Sequence, residues 1–177
     1  MQRSRRTVNL VSIGDRRPSL SPRAWVDPSA LIIGSVEVDA DASIWPGAIV
    51  RGDDAEVILG RGCVILENCV IEAPRGRPVI VEEGVIISHG AIVHGATIRR
   101  RALIGIGAIV LDGAIIGEEA IVGAGAVVPP GMNIPARKLV LGVPGRVVRE
   151  VTEADLEALA EERRNLMEKR AIYRNIR

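Results

Sequence analysis

Residues 80–128 read IVEEGVIISHGAIVHGATIRRRALIGIGAIVLDGAIIGEEAIVGAGAVV. Aliphatic residues recur at every sixth position of this stretch, and a glycine or alanine follows four positions after each one up to residue 126. A six-residue period is typical of a parallel β-helix, in which each hexad forms one short strand and one corner. We therefore predict an all-β solenoid of hexapeptide repeats. Its inward-facing positions in this stretch are predicted to be Ile80, Ile86, Ile92, Ile98, Ile104, Val110, Ile116, Val122 and Val128.

The same period begins earlier in the chain and is interrupted twice. It is lost at RGDDAE, residues 51–56, where two extra residues predict a bulging loop. It is lost again at EAPRGRP, residues 72–78, where four extra residues, two prolines and a glycine predict a second loop. The earlier inward positions are predicted to be Leu20, Val26, Ile32, Val38, Ile44, Val50, Ile58, Val64 and Val70.

The carboxy-terminal part of the chain departs from the repeat. Residues 138–151, KLVLGVPGRVVREV, predict one last extended segment that leaves the solenoid axis. Thr152 followed by Asp155 predicts the amino-terminal cap of a helix. We expect residues 1–150 to form the β-helix domain, with an amino-terminal strand and this last segment, and residues 151–177 a helix that packs on it or on a neighbouring subunit. The apolar side of that helix is predicted to contain Leu156, Leu159, Leu166, Met167 and Ile172.

The composition excludes several functional classes. Apolar residues make up 47% of the 177 residues and aromatic residues only 2%, with a formal net charge of +1. Because neither a strong positive field nor base-stacking aromatics are present, we expect no nucleic-acid partner. The absence of a signal-length or membrane-length apolar run predicts a cytoplasmic protein without a membrane partner. Cys63 and Cys69 lie one hexad apart, on neighbouring faces, and are predicted to be buried thiols.

The two histidines of the chain, His89 and His94, lie five residues apart within the repeat. Three hexads make one coil of eighteen residues, so the coil that contains the four-residue insertion spans twenty-two. Counting back by twenty-two places Glu72 beside His94 and Glu67 beside His89. The two histidines lie on different sides of a corner, so one chain is not expected to aim both at a single metal ion. We expect a symmetric neighbouring subunit to supply the missing metal ligand.

Four segments carry a resemblance to a known family: SIWPGAIVRGD at 43–53, SHGAIVHG at 88–95, IGIGAIVLDGAII at 104–116 and LGVPGRVVRE at 141–150. Together they resemble the gamma-class carbonic anhydrases and their relatives. The resemblance implies a homotrimer of left-handed parallel β-helices, with zinc or iron held by three histidines at each subunit interface. It implies an activity too, the reversible hydration of CO2 to bicarbonate by a metal-bound hydroxide, as in a metal-dependent lyase.

The resemblance assigns a metal-ligand set that departs from the family at one position. His94 matches the ligand from the same chain, His89 matches the ligand offered to the neighbour, and the third histidine falls at Glu72. Two imidazoles and a carboxylate suit Zn²⁺, with Fe²⁺ and Co²⁺ as alternatives. An anionic ligand is expected to make the water on the ion less acidic. The family's glutamine beside that water falls at Leu66, and its carboxy-terminal tyrosine falls at Val140.

The resemblance also suggests residues around the metal. Arg51 and Asp53 match an arginine and aspartate that pair across the interface, either as a plain salt bridge or with a direct catalytic part. Glu67 and Asp54 are candidates to relay protons. Asp112, eighteen residues after His94, either supports the histidine or serves the turn in LDGA. The candidate catalytic residues are therefore Arg51, Asp53 and Glu67.

Two other functions compete with this prediction. Hexapeptide acyltransferases share the solenoid, but they usually need a long substrate loop and an open cleft, whereas the predicted insertions are only two and four residues long. A non-catalytic scaffold or assembly subunit with a decayed site would account for Glu72, Leu66 and Val140.

Overall fold

Short aliphatic strands joined by tight corners build a parallel β-helix in the computed structural model, which describes residues 8–176. Residues 1–7 and Arg177, which the two predicted segments include, lie outside the described residues. Each full turn contributes one strand to each of three faces, so strands stack in parallel on their equivalents one turn away. The predicted solenoid with a carboxy-terminal helix is therefore confirmed.

The three faces form two continuous sheets, because two long strands run around one corner. The first face contains β1 (Asn9–Val11), the first halves of β4 (Leu31–Val38) and β6 (Ile49–Leu59), β8 (Val70–Glu72), β11 (Ile92–His94), β14 (Ile109–Val110) and β17 (Val127–Val128). The second contains β2 (Ser19–Leu20), the second halves of β4 and β6, β9 (Val79–Val81), β12 (Thr97–Ile98), β15 (Ile115–Ile116) and β18 (Asn133–Ile134). The third contains β3 (Trp25–Val26), β5 (Ser43–Ile44), β7 (Val64–Ile65), β10 (Ile86–Ile87), β13 (Leu103–Ile104), β16 (Ile121–Val122), β19 (Lys138–Leu141) and β20 (Arg146–Glu150).

The core register matches the predicted period only in part. Inward side chains from Val26 to Val50 and from Ile98 to Val128 are buried in the core, as predicted. Between these segments the predicted inward positions are wrong by one residue, and the residue after each of them faces inward. The predicted frame resumes at Ile98, because Ile98 pairs with Val81, only 17 positions earlier, so this coil is one residue shorter than eighteen. The core residues in place of the predicted Ile58, Val64, Val70, Ile80, Ile86 and Ile92 are Leu59, Ile65, Ile71, Val81, Ile87 and Val93.

The first interruption is a strand rather than the predicted loop. Residues 51–56 continue β6, and the mismatch with β4 is absorbed by a register shift between Gly34 and Val36. Before the shift, Ile32 pairs with Val50; after it, Val38 pairs with Leu59, 21 residues later. The insertion is thus three residues long instead of two. The second interruption forms the predicted turn-containing loop.

The carboxy-terminal end closes differently from the predicted single extended segment. β19 continues the third face, and β20 turns back to pair with it antiparallel. The helix α1 then runs over Glu153–Ile176. At its start, the Asp155 amide donates to Thr152 Oγ1 at 3.2 Å and the Thr152 amide donates to Asp155 Oδ2 at 2.8 Å, which confirms the predicted cap.

Helix α1 packs against the third face of its own solenoid. Leu166 is buried in a cluster with Trp25, Trp45 and Ile86. Arg163 Nε donates to the Gly84 carbonyl at 2.9 Å, which fixes the helix against a corner. Met167 and Ile172, also predicted on the apolar side of this helix, are exposed in the single chain. Within residues 8–176, no helix has both the length and the apolarity needed to cross a bilayer.

Candidate metal site

The site lies on the first face, where an outward column of polar side chains runs beside an outward column of aliphatic side chains. Strand pairing aligns Arg51 with Glu72 and Glu72 with His94. Each of the three lies two residues after an aliphatic residue of the same strand, so it points from the same side of the sheet. The aliphatic residues form an aligned, partly exposed column along this face: Leu31, Ile49, Val70, Ile92, Ile109 and Val127.

His94 is held from its Nδ1 side. Its Nδ1 lies 2.6 Å from Asp112 Oδ1, the length of a hydrogen bond in which Nδ1–H donates to the carboxylate; in the neutral ring this tautomer leaves the lone pair on Nε2. This is the arrangement that usually orients a metal-binding imidazole. Nε2 in turn lies 3.7 Å from Glu72 Oε1. The structure therefore favours the role of Asp112 as a support for His94, although its carbonyl also accepts from the Gly131 amide in the turn.

Gly95 makes room for this contact. Its backbone φ angle is +57°, a conformation that residues other than glycine rarely adopt. A Cβ at this position would lie 2.7 Å from Asp112 Oδ1 and 3.1 Å from Arg77 Cβ. The glycine after His94 thus permits both the turn and the approach of Asp112.

Glu72 and Asp53 share the guanidinium of Arg51. Arg51 Nη2 donates to Glu72 Oε1 at 2.5 Å, and Nε donates to Asp53 Oδ1 at 2.9 Å. The sequence prediction missed the contact with Glu72, because it counted two extra residues in the first interruption. With three, one coil before Glu72 falls at Arg51.

The second predicted pair, His89 and Glu67, also lies together. His89 is in the corner after β10, 53% exposed, with Nε2 3.1 Å from Glu67 Oε2. That separation has the length of a hydrogen bond but lacks its alignment, so the buried Oε2 receives no well-directed donor. Across residues 8–176 of one chain, no three His, Cys, Asp or Glu side chains are arranged to hold an ion. The two histidine pairs remain separate within the chain.

Four further positions are apolar or chemically inert. Val140 is fully buried in the solenoid core, so its side chain does not face the proposed site, and a tyrosine at this position would overpack the core. Leu66 is buried in the cluster beneath α1. Cys63 and Cys69 are free and buried, as predicted, and burial raises the pKa of each thiol to about 12. They are therefore neutral and poor metal ligands.

Comparison with known proteins shows what this chain is similar to. The family described as "Bacterial transferase hexapeptide (six repeats)" matches residues 95–130. A Methanocaldococcus jannaschii protein named "Probable carbonic anhydrase" is 41% identical over 142 residues, which cover 80% of this chain and 89% of that protein. A "Carbonic anhydrase" of Geobacillus kaustophilus is 39% identical over 159 residues, covering 90% and 87%. The crystal structure of a hexapeptide transferase family protein from Anaplasma phagocytophilum superposes with a TM-score of 0.89 at 30% identity, covering 93% of this chain and 98% of that one.

Proposed function

Because this chain belongs to the gamma-class carbonic-anhydrase-like family of hexapeptide-repeat proteins, we propose that it is a metalloprotein catalysing the reversible hydration of CO2. His94 and Glu72 of one subunit and His89 of the next would hold the ion in a homotrimer. Zn²⁺ is the expected metal, with Fe²⁺ and Co²⁺ as alternatives. The observation that carries the proposal is the orientation of His94, whose Asp112-bound ring leaves Nε2 beside a carboxylate.

The donor atoms of one chain fit two positions of such a site. Two ligands of a tetrahedral zinc ion, each about 2.0–2.1 Å from it, lie about 3.3 Å apart. The 3.7 Å between His94 Nε2 and Glu72 Oε1 differs little from that distance. The aliphatic column beside these residues is only partly covered by the chain itself and supports the packing of a second subunit against this face.

Each polar side chain then has a distinct task. A divalent ion held there would supply the acidified water that CO2 hydration requires. Asp112 keeps the His94 ring oriented, and Arg51 holds Glu72 in place. The hydration releases a proton, and the buried Oε2 of Glu67, which lacks a well-directed donor, is suited to receive it beside His89.

Metal analysis is the direct test of the proposal. Protein purified without chelator or added metal is expected to contain about one divalent ion per chain, and His94→Ala is expected to contain little, because the oriented imidazole is lost. Thr97→Ala, on a different face, serves as a matched control that keeps the ion. A metal-free parent protein would contradict the proposal. Acetyl-CoA stabilisation against heat would favour the acyltransferase alternative, and a stable protein partner without metal would favour the scaffold.

The contact with Asp112 gives a second prediction. Asp112→Ala is expected to weaken metal affinity by about 10- to 100-fold, because the ring loses its orienting acceptor. Asp112→Asn should recover much of the affinity, since an amide oxygen still accepts from Nδ1–H. Titration with Co²⁺ against a competing chelator measures both. Equal affinity in all three proteins would restrict Asp112 to its role in the turn.

A further inference from the structure

Arg51 lies within reach of the same carboxylate oxygen that a metal at His94 would need. Its Nη2 contacts Glu72 Oε1 at 2.5 Å, and that oxygen is also the one 3.7 Å from His94 Nε2. One atom therefore faces two cationic partners, the guanidinium already in the chain and the ion of the proposed site. A histidine at position 72 would not create this conflict, because an imidazole nitrogen that binds a metal does not attract a guanidinium.

The surrounding charges leave Arg51 a second place to bind. Asp53 Oδ1 accepts from Arg51 Nε at 2.9 Å, so the guanidinium is shared between two carboxylates. The side chains of Arg51 and Glu72 are 40% and 24% exposed, which gives the guanidinium room to shift between partners. An arginine stays protonated at any ordinary pH, so lowering the proton concentration cannot remove the competing charge.

We infer that Arg51 is a tethered competitor of the metal, and that its division between Glu72 and Asp53 sets the metal affinity of the site. When Arg51 binds Glu72, the carboxylate is neutralised and a like charge lies beside the ion's position. When it binds Asp53 alone, Glu72 is free to act as a ligand. The inference rests on the proposed metal site. It adds a means of regulating metal affinity, which arises because position 72 is a glutamate and not the family's histidine.

The two variants of this network should act in opposite directions. Arg51→Gln removes the competing charge and is expected to tighten Co²⁺ binding roughly three- to tenfold, as expected for a partly exposed ion pair together with one neighbouring like charge. Asp53→Asn removes the alternative partner, leaves Arg51 on Glu72, and is expected to weaken binding roughly two- to fivefold. Arg51→Lys keeps the charge and should remain closer to the parent protein than Arg51→Gln does.

Co²⁺ titration of the intact protein, followed by visible absorption against a competing chelator, measures these affinities. The gain from Arg51→Gln should be smaller in a Glu72→Gln background, because the contested carboxylate is then absent and only the neighbouring like charge remains to be removed. Particle size and thermal unfolding, measured on every variant, identify any loss of assembly or fold, and Asp53→Asn tests the inference without altering Arg51.

The outcomes separate the inference from the function on which it rests. Tighter binding by Arg51→Gln together with weaker binding by Asp53→Asn supports the inference. Co²⁺ binding that is unchanged or weaker in Arg51→Gln overturns the inference and leaves the metal site standing. A complete lack of Co²⁺ binding in the parent protein and in Arg51→Gln overturns both.

Discussion

Val81→Asp is expected to prevent the solenoid from folding, whereas Ile80→Asp is expected to leave it folded. Val81 is fully buried in the core, and Ile80, its neighbour in β9, is half-buried and faces outward. An unpaired carboxylate in an aliphatic core costs more than about 4 kcal/mol of the free energy of unfolding, while the outward position should lose only about 1 kcal/mol. Urea unfolding followed by circular dichroism measures the difference.

A second pair of variants repeats the comparison across the first interruption. Leu59 is fully buried, and Ile58 is half-buried in the same strand. Leu59→Asp should therefore behave like Val81→Asp, and Ile58→Asp should remain folded. If the order is reversed in either pair, the register predicted from the six-residue period describes the core better than the register derived from strand pairing.

The sequence predicted the period of the solenoid but not always which column faces inward. Most strands carry two consecutive aliphatic residues, such as Ile86 and Ile87, and both columns repeat with the same period. On the third face the outward residue is aliphatic because helix α1 covers it, as when Ile86 packs in the cluster with Leu166. Hydrophobicity alone therefore cannot distinguish the two columns.

A signal for the correct register is nevertheless present in the small residues. Ala91, Ala96 and Ala102 are all buried in the core. They are separated by five and then six residues, so the shortened coil is visible in the spacing of the alanines. Gly90 obscured this shorter spacing, because it continues the six-residue pattern of small residues although it is exposed and does not belong to the core.

The candidate site was predictable wherever the length of the coil was counted correctly. The four-residue insertion placed His94 beside Glu72 and His89 beside Glu67, and both contacts are observed. The contact between Arg51 and Glu72 was missed because the other insertion was counted one residue short. How Arg51 divides its hydrogen bonds depends on side-chain packing, which no repeat period encodes.

Glu72→His is expected to raise the CO2 hydration rate of the metal-loaded protein about tenfold or more. Three neutral imidazoles leave an ion more electron-poor than two imidazoles and a carboxylate, so its power to acidify water is greater. Each unit by which the pKa of that water falls raises its deprotonated fraction at neutral pH about tenfold, until it is half ionised. The substitution also frees Arg51 from position 72 and leaves it with Asp53. Stopped-flow measurement of CO2 hydration provides the rate.

Glu72→Gln separates the two effects of this substitution, since it removes the negative charge without adding an imidazole. It should bind metal more weakly than Glu72→His and hydrate CO2 more slowly. A rate that stays at the parent level in metal-loaded Glu72→His would exclude Glu72 as the main obstacle. The remaining departure is then Leu66, because Val140 is enclosed by the core. Leu66→Gln in the Glu72→His background tests that position, at a cost of about 1–3 kcal/mol for a polar group in the cluster beneath α1.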